Sequence, residues 1–108
     1  MLAKKSRADK KAVEKVFKEG RFLNSEHLTF KFVLNKEFTT PQISFVAPKT
    51  VAKLAVKRNL LRRKGYSALS EYIAKIPANL TGVFIFKKYQ DSISILENEI
   101  KNILSKVH

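Results

Sequence analysis

The sequence predicts an α+β sandwich, a small sheet with packed helices, in the order helix, strand, strand, helix, strand, helix. Three stretches carry that prediction. Residues 28–34, LTFKFVL, alternate with a period of two, as a strand with one buried side does. Residues 83–86, VFIF, are a continuous apolar run ahead of two lysines, which suits a strand covered on both faces. Residues 91–107 set Ile93, Leu96, Ile100, Ile103, Leu104 and Val107 on one helical stripe. Helices and strands mixed in this way bury their apolar faces by layering.

Taken in order, residues 9–19, DKKAVEKVFKE, read as a helix with Asp9 as a plausible N-cap. Val13, Val16 and Phe17 form its narrow apolar stripe, and Gly20 is placed to end it in a left-handed conformation. In the strand at 28–34, Leu28, Phe30, Phe32 and Leu34 share one face, and Thr29, Lys31 and Val33 share the other. Residues 35–41 are polar and end in Pro41, as a turn does. A short strand, ISFVA at 43–47, stops at Pro48. Residues 50–64 contain neither Pro nor Gly and read as a helix that runs on toward residue 74. Gly65 is its weak point, costing ~1 kcal/mol relative to Ala inside a helix, and Pro77 closes the segment. The helix at 91–107 takes Asp91 or Ser92 as its cap.

A chain of 108 residues suits one domain, 1–108, with residues 1–8 as a flexible basic tail. No apolar run approaches the ~20 residues of a membrane span. The start, MLAKKSRADKK, has no apolar segment of the kind a signal peptide needs. A cytoplasmic protein without membrane association is expected. With no cysteine in the chain, disulfides and zinc–thiolate sites are excluded.

Charge is more informative. Twenty-two Lys and Arg against nine Asp and Glu leave +13, which favours polyanionic partners. The excess is uneven: residues 48–65 hold seven basic groups and no acidic one, whereas residues 66–108 hold five and four. At its centre lies VKRNLLRRK, residues 56–64, with five cations among nine side chains. On a helix Arg58 and Arg62 stand one turn apart, while Lys53, Lys57 and Lys64 group on another side. A solvated face ordinarily mixes signs, because like charges at i,i+4 repel by ~0.2–0.5 kcal/mol. This stretch is unrelieved unless a polyanion meets it. RNA is favoured over duplex DNA, because two strands separate this helix from the preceding one and a helix-turn-helix is thereby excluded.

These residues resemble the protein subunit of bacterial ribonuclease P. That family carries an Arg-Asn pair followed two residues later by a basic doublet, matched here by Arg58-Asn59-Leu60-Leu61-Arg62-Arg63. Lys49, Lys53, Ala55 and Val56 resemble its approach to the helix, and VEKVFKEGRFLNSEHLTF, residues 13–30, resembles its first helix and first strand. The chain departs from the family at Gly65-Tyr66-Ser67, where a further Arg-Glu is common, and at Thr50-Val51-Ala52.

The resemblance implies a ribosomal protein S5 domain 2-like fold with a left-handed βαβ crossover, an exception to a strong rule. It implies that Lys49, Lys53, Arg58, Asn59, Arg62 and Arg63 contact the ribonuclease P RNA. It also implies a cleft between the first helix and the sheet for the single-stranded 5′ leader of precursor tRNA. Phe17 and Val13 fall at cleft positions of the family, and Thr29, Lys31 and Val33 are candidates to line the same cleft. Phe17 is read equally well as core or cleft. Such a protein is a component of an endoribonuclease with no catalytic residue, firmly bound cofactor or metal of its own, the RNA and its divalent metal (Mg) performing hydrolysis. The residues agree with this: the histidines are His27 and His108, and no carboxylate pair has recognisable spacing. The alternatives are a non-catalytic ribosomal or RNA-chaperone protein and, with less support, a stand-alone nuclease.

Overall fold

The computed structural model describes residues 10–34 and 41–107, with side chains from residue 14 onward. The expected tail at 1–8, the Asp9 cap, the turn at 35–40 and the Val13 side chain lie outside the described residues. Three helices, α1 (Lys10–Glu19), α2 (Ala55–Ser70) and α3 (Ile93–Leu104), accompany four strands, β1 (Arg21–Asn24), β2 (Leu28–Leu34), β3 (Gln42–Val46) and β4 (Leu80–Phe86). The expected order is present with one strand added, β1, which forms an antiparallel hairpin with β2.

The strands lie in the order β1-β2-β4-β3. β2 pairs with β4 antiparallel and β3 with β4 parallel, so the chain between β3 and β4 crosses over through α2. Register decides which side chains share a face. Phe30 stands opposite Phe84, which stands opposite Phe45, and the three rings stack at centroid separations of 4.3 and 4.9 Å. This face holds the main core, closed by Leu61, Ala68 and Leu69 of α2 and by Leu96, Ile100 and Ile103 of α3. Burying side chains of this size stabilises the fold by ~1.5–3 kcal/mol each.

The other face carries Thr29, Lys31 and Val33 of β2 beside Ile85, Val83 and Thr81 of β4. α1 packs here, against β2 and β4, and buries Val16 on the same face as Val83. β4 is therefore covered on both sides, as its apolar run requires.

Three expectations need correction. Gly20 is not left-handed; no described glycine has a positive φ. Its reason is close approach: a Cβ there would lie 2.3 Å from the Val16 carbonyl oxygen and 3.0 Å from that of Phe32. The basic helix begins at Ala55 rather than at residue 50. The Pro48 carbonyl accepts from the N–H groups of Val51 and Ala52, at 3.0 and 3.2 Å, and these bonds hold the preceding segment in a turn. Lys53 is consequently off the helix, and Leu54, its N-cap, is exposed. α2 runs through Gly65, as expected, but ends at Ser70, short of residue 74; Phe45 lies against that glycine. At the other end of the chain, the Ser92 hydroxyl caps α3 by accepting from the Ile95 N–H.

Candidate nucleic-acid interface

The cations of the basic segment fall into two kinds of place. Lys49 and Lys53 are exposed on the turn before α2, and Lys57, Asn59, Arg62 and Arg63 are exposed on α2 itself. Arg58 is half-buried. Its Nη1 donates to the carbonyl oxygens of Ala52 at 3.1 Å and Lys53 at 2.7 Å. The guanidinium thus fastens the turn to the first turn of the helix, a role its charge alone did not announce. A fork with five donors keeps others for a second acceptor.

One helical turn on, Arg62 Nη2 donates to Asn59 Oδ1. Asn59 thereby sets the direction of its neighbour's guanidinium. Ala55, Arg58, Asn59 and Arg62 share one side of α2 and, with Phe45, Val46 and Ala47 of the β3 edge, line an open recess of about 320 Å³. Arg63 projects elsewhere, so the cations spread around α2 rather than forming one stripe. Among the described residues, no salt bridge reaches any cation of residues 49–64, so none of them relieves the mutual repulsion of these cations by direct pairing.

The second candidate surface lies across the sheet. Phe17 projects from α1 with 46% of its surface exposed, which decides against its reading as core. The Lys31 ammonium sits 4.9 Å from the centroid of its ring, within cation–π range. Thr29 and Val33 flank Lys31 on the same strand face and are half-buried. Phe17, Thr29, Lys31 and Val33 thus occupy one region between α1 and the sheet. α2 packs on the opposite face, so the two candidate surfaces are separated by the sheet.

Phe22 was not among the expected site residues. It lies on β1, directly opposite Lys31, and 63% of its surface is exposed. Its signal in the sequence is slight, because a strand of four residues, RFLN, is too short to display alternation.

The titratable cluster outside these surfaces is structural. Glu99 of α3 accepts from the Ser25 hydroxyl, from the His27 N–H at 2.7 Å, and pairs with His27 Nδ1 at 2.7 Å. Burial pushes the Glu99 carboxyl up, but the hydrogen bonds from Ser25 and His27, with the charge of the His27 ring, outweigh it and hold Glu99 below its ordinary value. Ser25 and His27 both address the carboxylate, not each other. The arrangement therefore lacks the serine–imidazole bond that would activate a nucleophile. It ties the β1–β2 hairpin to α3.

A basic α+β domain with a cationic helix on one sheet face and an exposed aromatic–cation pair on the other suits a flexible polyanion. The chain belongs to the ribonuclease P family, whose sequence model matches residues 2–108. Membership makes it a ribonuclease P component, with RNA as its ligand and the ribonuclease P RNA as its partner. Among solved structures, the RNase P protein of Staphylococcus aureus is similar with a TM-score of 0.79 at 18% identity, covering 93% of each chain. A mutant of that protein with defective mRNA degradation activity gives 0.81 at 19% identity, covering 94% of this chain and 87% of that one. The RNase P protein from Thermotoga maritima gives 0.80 at 20% identity, covering 94% and 97%. These likenesses establish the α+β fold. No curated protein matches the sequence.

Proposed function

We propose that this chain assists the 5′ maturation of tRNA by gripping two RNAs at once. Lys49, Lys53, Arg58, Arg62 and Arg63 bind phosphates of the RNA subunit, with Asn59 fixing local geometry or donating to the RNA. The cleft between α1 and the sheet, lined by Phe17, Thr29, Lys31 and Val33, holds the single-stranded leader of precursor tRNA. The observation that carries the reading is the exposed Phe17 ring with the Lys31 ammonium 4.9 Å from its centroid. A π-face accepts any base, and an adjacent cation takes the backbone charge, so the leader is held with little sequence preference. Hydrolysis belongs to the RNA subunit and the divalent metal, Mg, that its phosphates hold. The protein acts in the cytoplasm by neutralising phosphates and positioning the substrate, with no cofactor of its own and no DNA partner.

Reconstitution tests this. Purified protein alone leaves precursor tRNA intact. Added to a bacterial ribonuclease P RNA, it lowers the magnesium needed for cleavage. Lys31→Ala then weakens precursor tRNA more than mature tRNA. Metal-dependent cleavage by RNA-free protein would overturn the assignment of catalysis to RNA, and equal losses for both tRNA forms would overturn the leader cleft.

A further inference from the structure

The sheet face that carries Lys31 does not end at β2. The hairpin register sets Phe22 opposite Lys31, and directly opposed residues of an antiparallel pair emerge from the same face with Cβ atoms ~5 Å apart. Lys31 is therefore bracketed. Phe17 lies under its ammonium from the α1 side, and Phe22 stands beside it on the β1 side. Phe22 is the most exposed aromatic ring among the described residues, and β1 is the edge strand of the sheet they form. On the same face, the Thr29 hydroxyl donates to Asn24 Oδ1 at 2.7 Å, so a polar cross-strand pair borders the row.

An exposed phenylalanine on an edge strand attracts unwanted pairing, and the core does not use this one. Its neighbour's charge selects the occupant: a cation over one ring, with a second exposed ring opposite it on the paired strand, complements a strand whose bases stack and whose backbone is anionic. We propose that Phe22 is a second base-stacking platform. Phe17, Lys31 and Phe22 then form a row that leads a single-stranded RNA segment from the cleft outward over the β1 edge. The proposal rests on the leader reading above and extends the footprint by a base that β2 cannot reach.

The test uses the reconstituted holoenzyme with precursor and mature tRNA. Phe22→Ala should weaken precursor tRNA about tenfold, the loss of one base stack, and leave mature tRNA unchanged. The chain contains no tryptophan, so Phe22→Trp supplies a single indole. That variant should retain affinity, and its fluorescence should be quenched by precursor but not by mature tRNA. If Phe17→Ala and Lys31→Ala discriminate between the two tRNAs while Phe22→Ala does not and the indole is not quenched, the Phe22 platform is overturned and the leader cleft survives. If none of the three discriminates, both fall together. A change in the sedimentation of free Phe22→Ala protein without any loss of precursor binding would make Phe22 a protein contact and also overturn the proposal. Should Phe22→Ala fail to fold, the indole readout decides alone.

Discussion

The Phe45 ring occupies the space that a side chain at Gly65 would fill: a Cβ there would lie 2.5 Å from Cδ2 and 2.6 Å from Cε2. The ring is held by three aromatic neighbours. It stacks on Phe84 at 4.9 Å, meets Tyr66 edge-on at 5.0 Å and lies 6.2 Å from Phe86. Gly65→Ala should therefore destabilise the protein by about 1–3 kcal/mol through overpacking, although the same change on an exposed helix face would stabilise by ~1 kcal/mol. A urea titration with an unchanged m-value and a lower midpoint would show it, and a higher midpoint would mean that α2 shifts away freely.

Arg58 and Arg62 should separate in their effects. Arg58→Gln removes the clamp on the Ala52 and Lys53 carbonyls and should cost about 1 kcal/mol of stability as well as RNA affinity. Replacing Arg62 and Arg63 together by Gln should leave the melting temperature unchanged or raised, since repulsion falls. It should also lower the magnitude of the log–log salt slope for the RNA subunit by roughly 1–2. An unchanged slope in that double variant would reduce both arginines to a solvated face.

Glu99 gives stability an acid limb. Its folded pKa lies below the ordinary 4.5, so its contribution is complete above the unfolded value and is lost as pH falls through the folded one. Wild type should lose stability below about pH 4.5 more steeply than Glu99→Gln, which starts lower at neutral pH because it loses the charge-assisted bonds to Ser25 and His27. Parallel stability–pH curves for the two proteins would show that Glu99 does not tie the hairpin to α3.

Thr81 is buried on the sheet face that α1 packs against, and its hydroxyl has no hydrogen-bond partner among the described residues. Thr81→Val keeps the branched shape that a strand accommodates and removes an unsatisfied polar group. It should raise stability by about 1 kcal/mol, read as an upward shift in the urea midpoint. A downward shift would reveal a partner for the hydroxyl.

Much of the fold was legible because it depends on periodicity. The alternation at 28–34 gave β2 its two faces, the apolar run at 83–86 marked a strand buried on both sides, and the stripe from Ile93 to Val107 marked α3. What stayed hidden depends on residues distant in sequence or on hydrogen bonds that pattern does not report. β1 exists because β2 and Lys31 give it a partner, not because RFLN alternates. The start of α2 is set by the Pro48 carbonyl, and Gly65 reads as a weak point until Phe45, twenty residues upstream, is placed on it. The site divides the same way. Charge and spacing revealed the basic helix. Arg58's clamp, the bond from Arg62 to Asn59 and the approach of Lys31 to Phe17 appear only once the chain is folded.

The two faces of the sheet are unequally held. One is sealed by two helices and a continuous aromatic and aliphatic core. On the other, Val16 is the buried anchor among the described side chains of α1. Elements with few buried contacts open at a smaller free energy than the whole domain. Among the described side chains, α1 is therefore the more weakly held layer, and α2, which carries the basic segment, the more firmly held one. In the leader site proposed above, such a weakly held wall would admit strands of differing sequence without any change in the helix proposed to dock on the RNA subunit.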